Sequence, residues 1–317
     1  MATNLKQKSF QSSLKMIHKL KDILVLFKTT FKEWNAKDPF RQSAVIAYYS
    51  IFSIPGLLVL IIAIAGYFFG PDTVNQNLIA QITDTIGVES ALQIKDMLEK
   101  STTEKSTTWG SIIGVSILLV GATGVFVELQ KTLNLIWNVK VKPQNSYWLI
   151  LKSRLFSFGL ILAIAFLLII SLVISTALVA MSTWIKVDTS TLMITLFEIL
   201  NFIISLGVIS LLFAMIFKIL PDAKIHWNHV WLGSLVTGIL FTIGKMALSY
   251  YFGKAQPASV YGAAGSIILI LLWVSYSSMI LFFGAEFTAA YARKYSGIVP
   301  PTAIAKVEIP TALEKTL

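Results

Sequence analysis

Two ionisable residues, Glu198 and Lys245, stand inside apolar runs long enough to cross a bilayer, and a third, Glu286, stands towards the end of another. A span takes about 20 residues at about 1.5 Å each. A charge within one is costly unless it faces a partner or water, so each marks a functional hypothesis. If the runs at 191–219 and 230–252 are antiparallel neighbours, Glu198 lies about seven residues, roughly 10 Å, inside the outer end, and Lys245 lies at the same depth. The two can meet, with Asn201 near enough to supply a hydrogen bond; the competing arrangement has Lys245 snorkelling to the headgroups. Glu198, Asn201 and Lys245 are therefore read as lining a translocation path. Pro55-Gly56 joins them, because a proline inside the first apolar run removes a backbone hydrogen bond and kinks or breaks the helix. Glu286 lies 24 residues beyond Gly262 and belongs at the opposite end, with Glu128, Lys131, Arg154, Lys218 and Arg293. Either ion pairs tie helix ends together there, or Glu128, Arg154, Glu286 and Arg293 line a cytoplasmic vestibule.

Other chemistries lack residues. A hydrolytic metal site needs several His, Asp or Glu ligands together. The chain has three histidines, of which His226 and His229 lie near Asp222 in a segment that reads as an interfacial turn. No Gly-rich phosphate loop and no Gly-x-Ser-x-Gly elbow is present. The absence of cysteine excludes disulfides, thiol catalysis and thiolate metal sites. The reading is a protein that is not an enzyme and uses no cofactor.

The elements that must position these charges follow from composition. Of 317 residues, 56% are hydrophobic and only 13% charged, with a mean hydropathy of +0.74; soluble domains carry about 25% charged residues. This predicts an all-α polytopic membrane protein with six spans at about 43–69, 109–128, 154–180, 191–219, 230–252 and 262–290. No signal-peptide pattern precedes the first run. Lys and Arg number nine up to Arg41, five in 128–154, two in 218–229 and four in the tail, against three in 70–108 and one each in 181–190 and 253–261. The positive-inside rule then places both termini in the cytoplasm. The net charge of +10 is assigned to helix flanks and anionic headgroups rather than to nucleic acid.

Domain boundaries fall at 1–42, a basic amphipathic segment; 43–293, the membrane domain; and 294–317, a tail expected to be mobile. Between residues 9 and 35, Phe10, Leu14, Ile17, Leu20, Leu24, Phe27, Phe31 and Trp34 recur at steps of three and four with lysines between them, which predicts a helix. It lies on the bilayer surface or packs against the inner ends of the spans. Asp38-Pro39 marks a break and is expected to cap the first span. Gly110, Gly114, Gly121 and Gly124 favour close packing by the second span. The outer connection 70–108 reads as two short amphipathic helices broken near Gly87, with Leu78, Ile82 and Ile86 on one face, forming a lid or rim.

The runs Leu220-Pro221-Asp222, Trp227, Gly233, Tyr251, Tyr261-Gly262-Ala263-Ala264-Gly265-Ser266, Leu272-Trp273 and Gly284-Ala285-Glu286 resemble the C-terminal half of the YihY/BrkB family of bacterial inner-membrane proteins. Asp38-Pro39, Tyr48-Tyr49 and Ser53-Ile54-Pro55-Gly56 resemble its N-terminal signature, so the resemblance covers about residues 30 to 293. It implies a polytopic inner-membrane protein with a lipid or other amphiphile as cargo; members once carried the label ribonuclease BN. The combined reading is a translocator of a lipid or other amphiphilic anion, with membrane lipids as partners. A membrane scaffold that recruits envelope proteins through its outer loop and basic N-terminal helix is the alternative.

Overall fold

The computed structural model describes residues 21–86, 88, 91, 92, 94, 95, 108–142, 191–255, 265–297, 299–302 and 304–307. Helix is the dominant element: α1 (residues 21–36), α2 (Pro39–Phe69), α3 (Pro71–Ile86), α4 (Thr108–Ile136), α5 (Thr191–Ile219), α6 (Trp227–Ala255) and α7 (Gly265–Ser296). These helices cover five of the six expected spans; the sixth, 154–180, and residues 1–20 of the N-terminal segment lie outside the described residues. Among the described residues, Ile199–Ile219, Trp227–Ala255 and Ile267–Ser296 are long and apolar enough to cross a membrane. The fold is not purely helical. Val139–Val141 (β1) pairs antiparallel with Ala305–Val307 (β2), in the register Val139 to Val307.

The helices pack in the order α5, α6, α7, α2, α4, and α3 lies against α2 and α6. Because lipid competes for apolar side chains as well as protein does, such contacts depend on shape and small residues. Gly121 of α4 lies against the backbone of Tyr49 and Ser53, and the Tyr49 ring fills the space over Gly124. Between α6 and α7 the fit is reciprocal. Thr288 sits over Gly233 and Thr237 over Gly284, each threonine hydroxyl donating to the carbonyl four residues back in its own helix.

Three local expectations are corrected. α2 runs unbroken from Pro39 to Phe69 through Pro55-Gly56; a single proline leaves the rest of the ladder intact, and long contacts with α4 and α7 hold the helix on both sides. Asp38 stands at the N-cap position of α2 in a left-handed conformation at φ 51° and makes no side-chain cap. Pro39 at the start of α2 has no N–H to cap, and Gln42 donates instead to the Lys37 carbonyl at 2.6 Å. The tail is ordered over 299–302 and 304–307: Lys224 N–H donates to Pro300 O at 2.8 Å, Thr302 N–H to Asp222 O at 2.9 Å, and Lys142 N–H to Ile304 O at 2.9 Å. Backbone groups left open by the α5–α6 turn and the end of α4 find partners in the tail.

In the outer connection, Gly70 at φ +85° turns the chain and Pro71 starts α3. Val74 and Leu78 of α3 are buried, so its apolar face covers part of the bundle.

Candidate functional site

The α5–α6 hairpin sets the level of the intramembrane charges. Gly238 of α6 meets Ser210 and Leu206 of α5. Seven residues further along each antiparallel helix, Lys245 comes level with Ile203, and Asn201 lies within one turn. Glu198 is helical but its side chain lies outside the described residues. Asn201 Oδ1 is buried and receives no hydrogen bond from any described residue. Lys245 forms no ion pair with any described residue.

One face of α5 changes environment along its length. Four residues at heptad spacing read, from the C-terminal end of α5 to its N-terminal end, Phe217 at 0% exposed, Ser210 at 4%, Ile203 at 58% and Leu196 at 53%. Residues seven apart share a face, so the side that is buried in the C-terminal half of the helix is exposed in its N-terminal half. α6 presents its buried stripe to the same region, with Gly238 and Phe252 buried and Lys245 between them half-buried. On the other side of Lys245, Tyr276 of α7 passes Gly244 so closely that a methyl group there would lie 2.9 Å from its hydroxyl. The N-terminal half of α5 therefore presents an exposed apolar face, Leu196, Ile199, Phe202 and Ile203, with Lys245 of α6 level with Ile203. Pro55 and Gly56 lie on the backbone of α2, and their side-chain surroundings are not described.

At the inner end, the Glu286 side chain is 0% exposed and accepts from Lys37 Nζ at 2.7 Å and Arg293 Nη2 at 3.2 Å. Arg293 also pairs with Glu33, and Lys37 Nζ donates to Ile136 O at the end of α4 at 3.3 Å. α1 is thus fastened to α4 and α7 by two acids and two bases, a neutral set in which the deepest charge has two cations. Arg293 and Glu286 are brought together as the depth count implied. Glu128 is not part of the set; it pairs with Lys131 of its own helix at 3.5 Å, and Arg154 lies outside the described residues. Glu33 and Lys37 were missed. Their i, i+4 spacing just before Asp38-Pro39 put both at the right level, and only the lack of a known partner for α1 hid them.

A second polar set was also missed. Asp222 Oδ2 accepts from Asn134 Nδ2 at 2.8 Å and Gln130 Nε2 at 3.2 Å, and the Asp222 N–H donates to Asn134 Oδ1 at 2.8 Å. The buried Asp222 carboxylate is therefore committed to α4, which removes it from His226 and His229. His229 Nε2 lies 2.8 Å from Ser296 Oγ, and among the described residues no three His, Asp or Glu are grouped to hold a metal.

Comparison with known proteins agrees with this architecture. The family model described as virulence factor BrkB matches residues 30–304. The chain belongs to the BrkB family. This BrkB-family chain is 26% identical over 266 residues to a UPF0761 membrane protein of Vibrio campbellii, covering 80% of this chain and 77% of that one. It is 29% identical over 189 residues to a UPF0761 membrane protein of Tolumonas auensis, covering 58% and 59%. No solved structure matches the chain. The matched residues include both polar sets and Lys245 with the exposed face of α5, and the relatives' names state a membrane protein without an activity.

Proposed function

We propose that this BrkB-family protein translocates an amphiphilic anion, a lipid by class, along the exposed apolar face of the N-terminal half of α5, beside Lys245 of α6. One observation carries the reading: the α5 face that is buried at Phe217 and Ser210 is exposed at Ile203 and Leu196, with Lys245 level with Ile203. An acyl chain suits the apolar face, and an acidic headgroup suits the ammonium, which is expensive to leave alone at that depth. The reading takes the sixth expected span, 154–180, as part of the same bundle, in the bacterial inner membrane, with α1, β1 and β2 on the cytoplasmic side, as the Lys and Arg distribution supports.

The test is flux. In proteoliposomes containing a fluorescent phosphatidylglycerol, the wild-type protein exposes inner-leaflet probe to an external quencher, and Lys245→Met slows this at least tenfold while Leu232→Ala, on the outward face of α6, does not. Full flux by correctly folded Lys245→Met overturns the path, and no flux by any variant favours a scaffold. For orientation, a cysteine at exposed Gly253 labels with an impermeant reagent in intact cells, and one at Ser296 labels only after permeabilisation; the reverse inverts the topology.

A further inference from the structure

Helix α1 has two working faces, and the fold accounts for one. Leu26 is buried with Phe287 and Ala290, Phe27 lies 5.1 Å from Phe287 between ring centroids, Thr30 is buried, and Glu33 and Lys37 enter the ion-pair set. At about 100° per residue these positions occupy one side of the helix. On the other side Leu24 and Phe31, a heptad apart, are exposed. Lys28, Lys21 and Lys32, all exposed, fall within about 80° on one flank of that line. The line continues past the end of α1: Phe31 contacts Trp34 at 5.6 Å, Trp34 contacts Phe40 at 6.1 Å, and from Phe40 an outward stripe descends α2 through Ala44, Tyr48 and Phe52 at steps of four.

We propose that this outer face of α1 binds the anionic phospholipid surface at the inner end of the bundle, with Leu24 and Phe31 entering the acyl boundary and Lys21, Lys28 and Lys32 meeting phosphate groups. Continuity argues for the bilayer as occupant: the apolar line of α1 runs without interruption into the outward stripe of a helix that enters the membrane. Charge argues for acidic lipid. A neutral surface satisfies Leu24 and Phe31 and leaves three ammonium groups without counter-charge, whereas acidic headgroups match both chemistries, and lysine stems lie along apolar surface while their tips reach phosphates. Because the opposite face is fastened to α7, binding here fixes the height of the α7 inner end relative to the lipid surface.

The chain has no native cysteine, so Leu24→Cys carries a single environment-sensitive bimane on the full-length protein. The labelled protein is placed in nanodiscs of phosphatidylcholine alone or with phosphatidylglycerol, with or without headgroup-nitroxide lipid. In the phosphatidylglycerol discs, emission shifts to the blue and nitroxide quenching rises several-fold over that in phosphatidylcholine. Lys21→Gln, Lys28→Gln and Lys32→Gln together abolish the difference, and the corresponding arginine triple retains it. These side chains are exposed, and elution as a single monodisperse peak verifies that each triple variant is folded. Equal signals in the two bilayers, or an anionic-lipid response that survives the glutamine triple, overturn the proposal. So does quenching by aqueous iodide in every bilayer, which leaves the face for a protein.

Discussion

Thr237 of α6 lies against Gly284 of α7 so closely that a methyl group on Gly284 would come within 2.7 Å of the Thr237 Cβ and 1.9 Å of its hydroxyl oxygen. Gly233 and Thr288 repeat the contact one turn away with the roles exchanged. Gly284→Ala is therefore an overpacking change and should lose about 1–3 kcal/mol. Thr237→Gly alone should lose on the order of 1 kcal/mol, a few tenths through helix propensity and the rest through lost packing of a buried side chain. Together they should be more stable than Gly284→Ala alone, because the clash is removed. Thermal midpoints of the four detergent-solubilised forms measure this coupling; additive losses would mean that the helices do not cross here.

The contact also shows what could be read from one chain. Helices α2, α4, α5, α6 and α7 stand where the sequence has its long apolar runs, and the glycines pointed to close packing. Which threonine meets which glycine depends on the crossing of two helices, which no local pattern encodes. The same limit applies at the site. Depth along a helix is linear in residue number, so Glu286 and Arg293 were placed at one level, while Lys245, expected at the depth of Glu198, stands level with Ile203 because the Gly238 to Ser210 contact fixes the hairpin register. Rotation and neighbour order are tertiary properties, and so Lys37, Glu33 and Asn134 went unseen as partners. Pro55-Gly56 misled because a local propensity to break was outweighed by contacts along α2.

Glu286 is the deepest charge in the set that fastens α1. Glu286→Gln should leave Lys37 without a counter-charge, while Arg293 keeps Glu33, and cost about 3–5 kcal/mol. Glu33→Gln, at the exposed rim, should cost under about 1 kcal/mol. Arg293→Lys should behave more like a loss than a conservative change, since one guanidinium serves both Glu33 and Glu286. Thermal stability ranks the three, and a Glu33→Gln loss equal to that of Glu286→Gln would contradict the burial difference.

Asp222 organises the inner rim by receiving two amide N–H groups from α4 while its own carbonyl receives Thr302 from the tail. In Asp222→Ala, Asn134 Nδ2 loses a buried acceptor, at about 1–3 kcal/mol, and the α5–α6 turn, whose backbone still accepts from Thr302, loses the side-chain tie to α4 that holds it in place. Amide hydrogen exchange at Lys142, Lys224 and Thr302 should accelerate at least tenfold while exchange within α6 stays slow. Unchanged exchange at those three amides would show that β1 alone holds the tail.

The last expectation concerns Glu198 and Lys245. The Gly238 to Ser210 contact sets the hairpin so that Lys245 is level with Ile203 and about five residues, roughly 7–8 Å along the axis, from Glu198, a separation that the long lysine side chain has to span against its usual lean toward its own helix N-terminus. Among the described residues Lys245 forms no ion pair, which raises the value of a single carboxylate. Glu198→Gln and Lys245→Met should each destabilise by several kcal/mol if the two are paired out of water, and the double variant should recover most of the loss, since removing both charges leaves neither stranded. Small additive losses would instead mean that Lys245 reaches the headgroups alone. Measuring flux on the same four proteins separates structure from transport: a double variant that is as stable as wild type but does not move the fluorescent lipid places Lys245 on the path, and one that moves it at the wild-type rate confines the pair to holding α5 and α6 together.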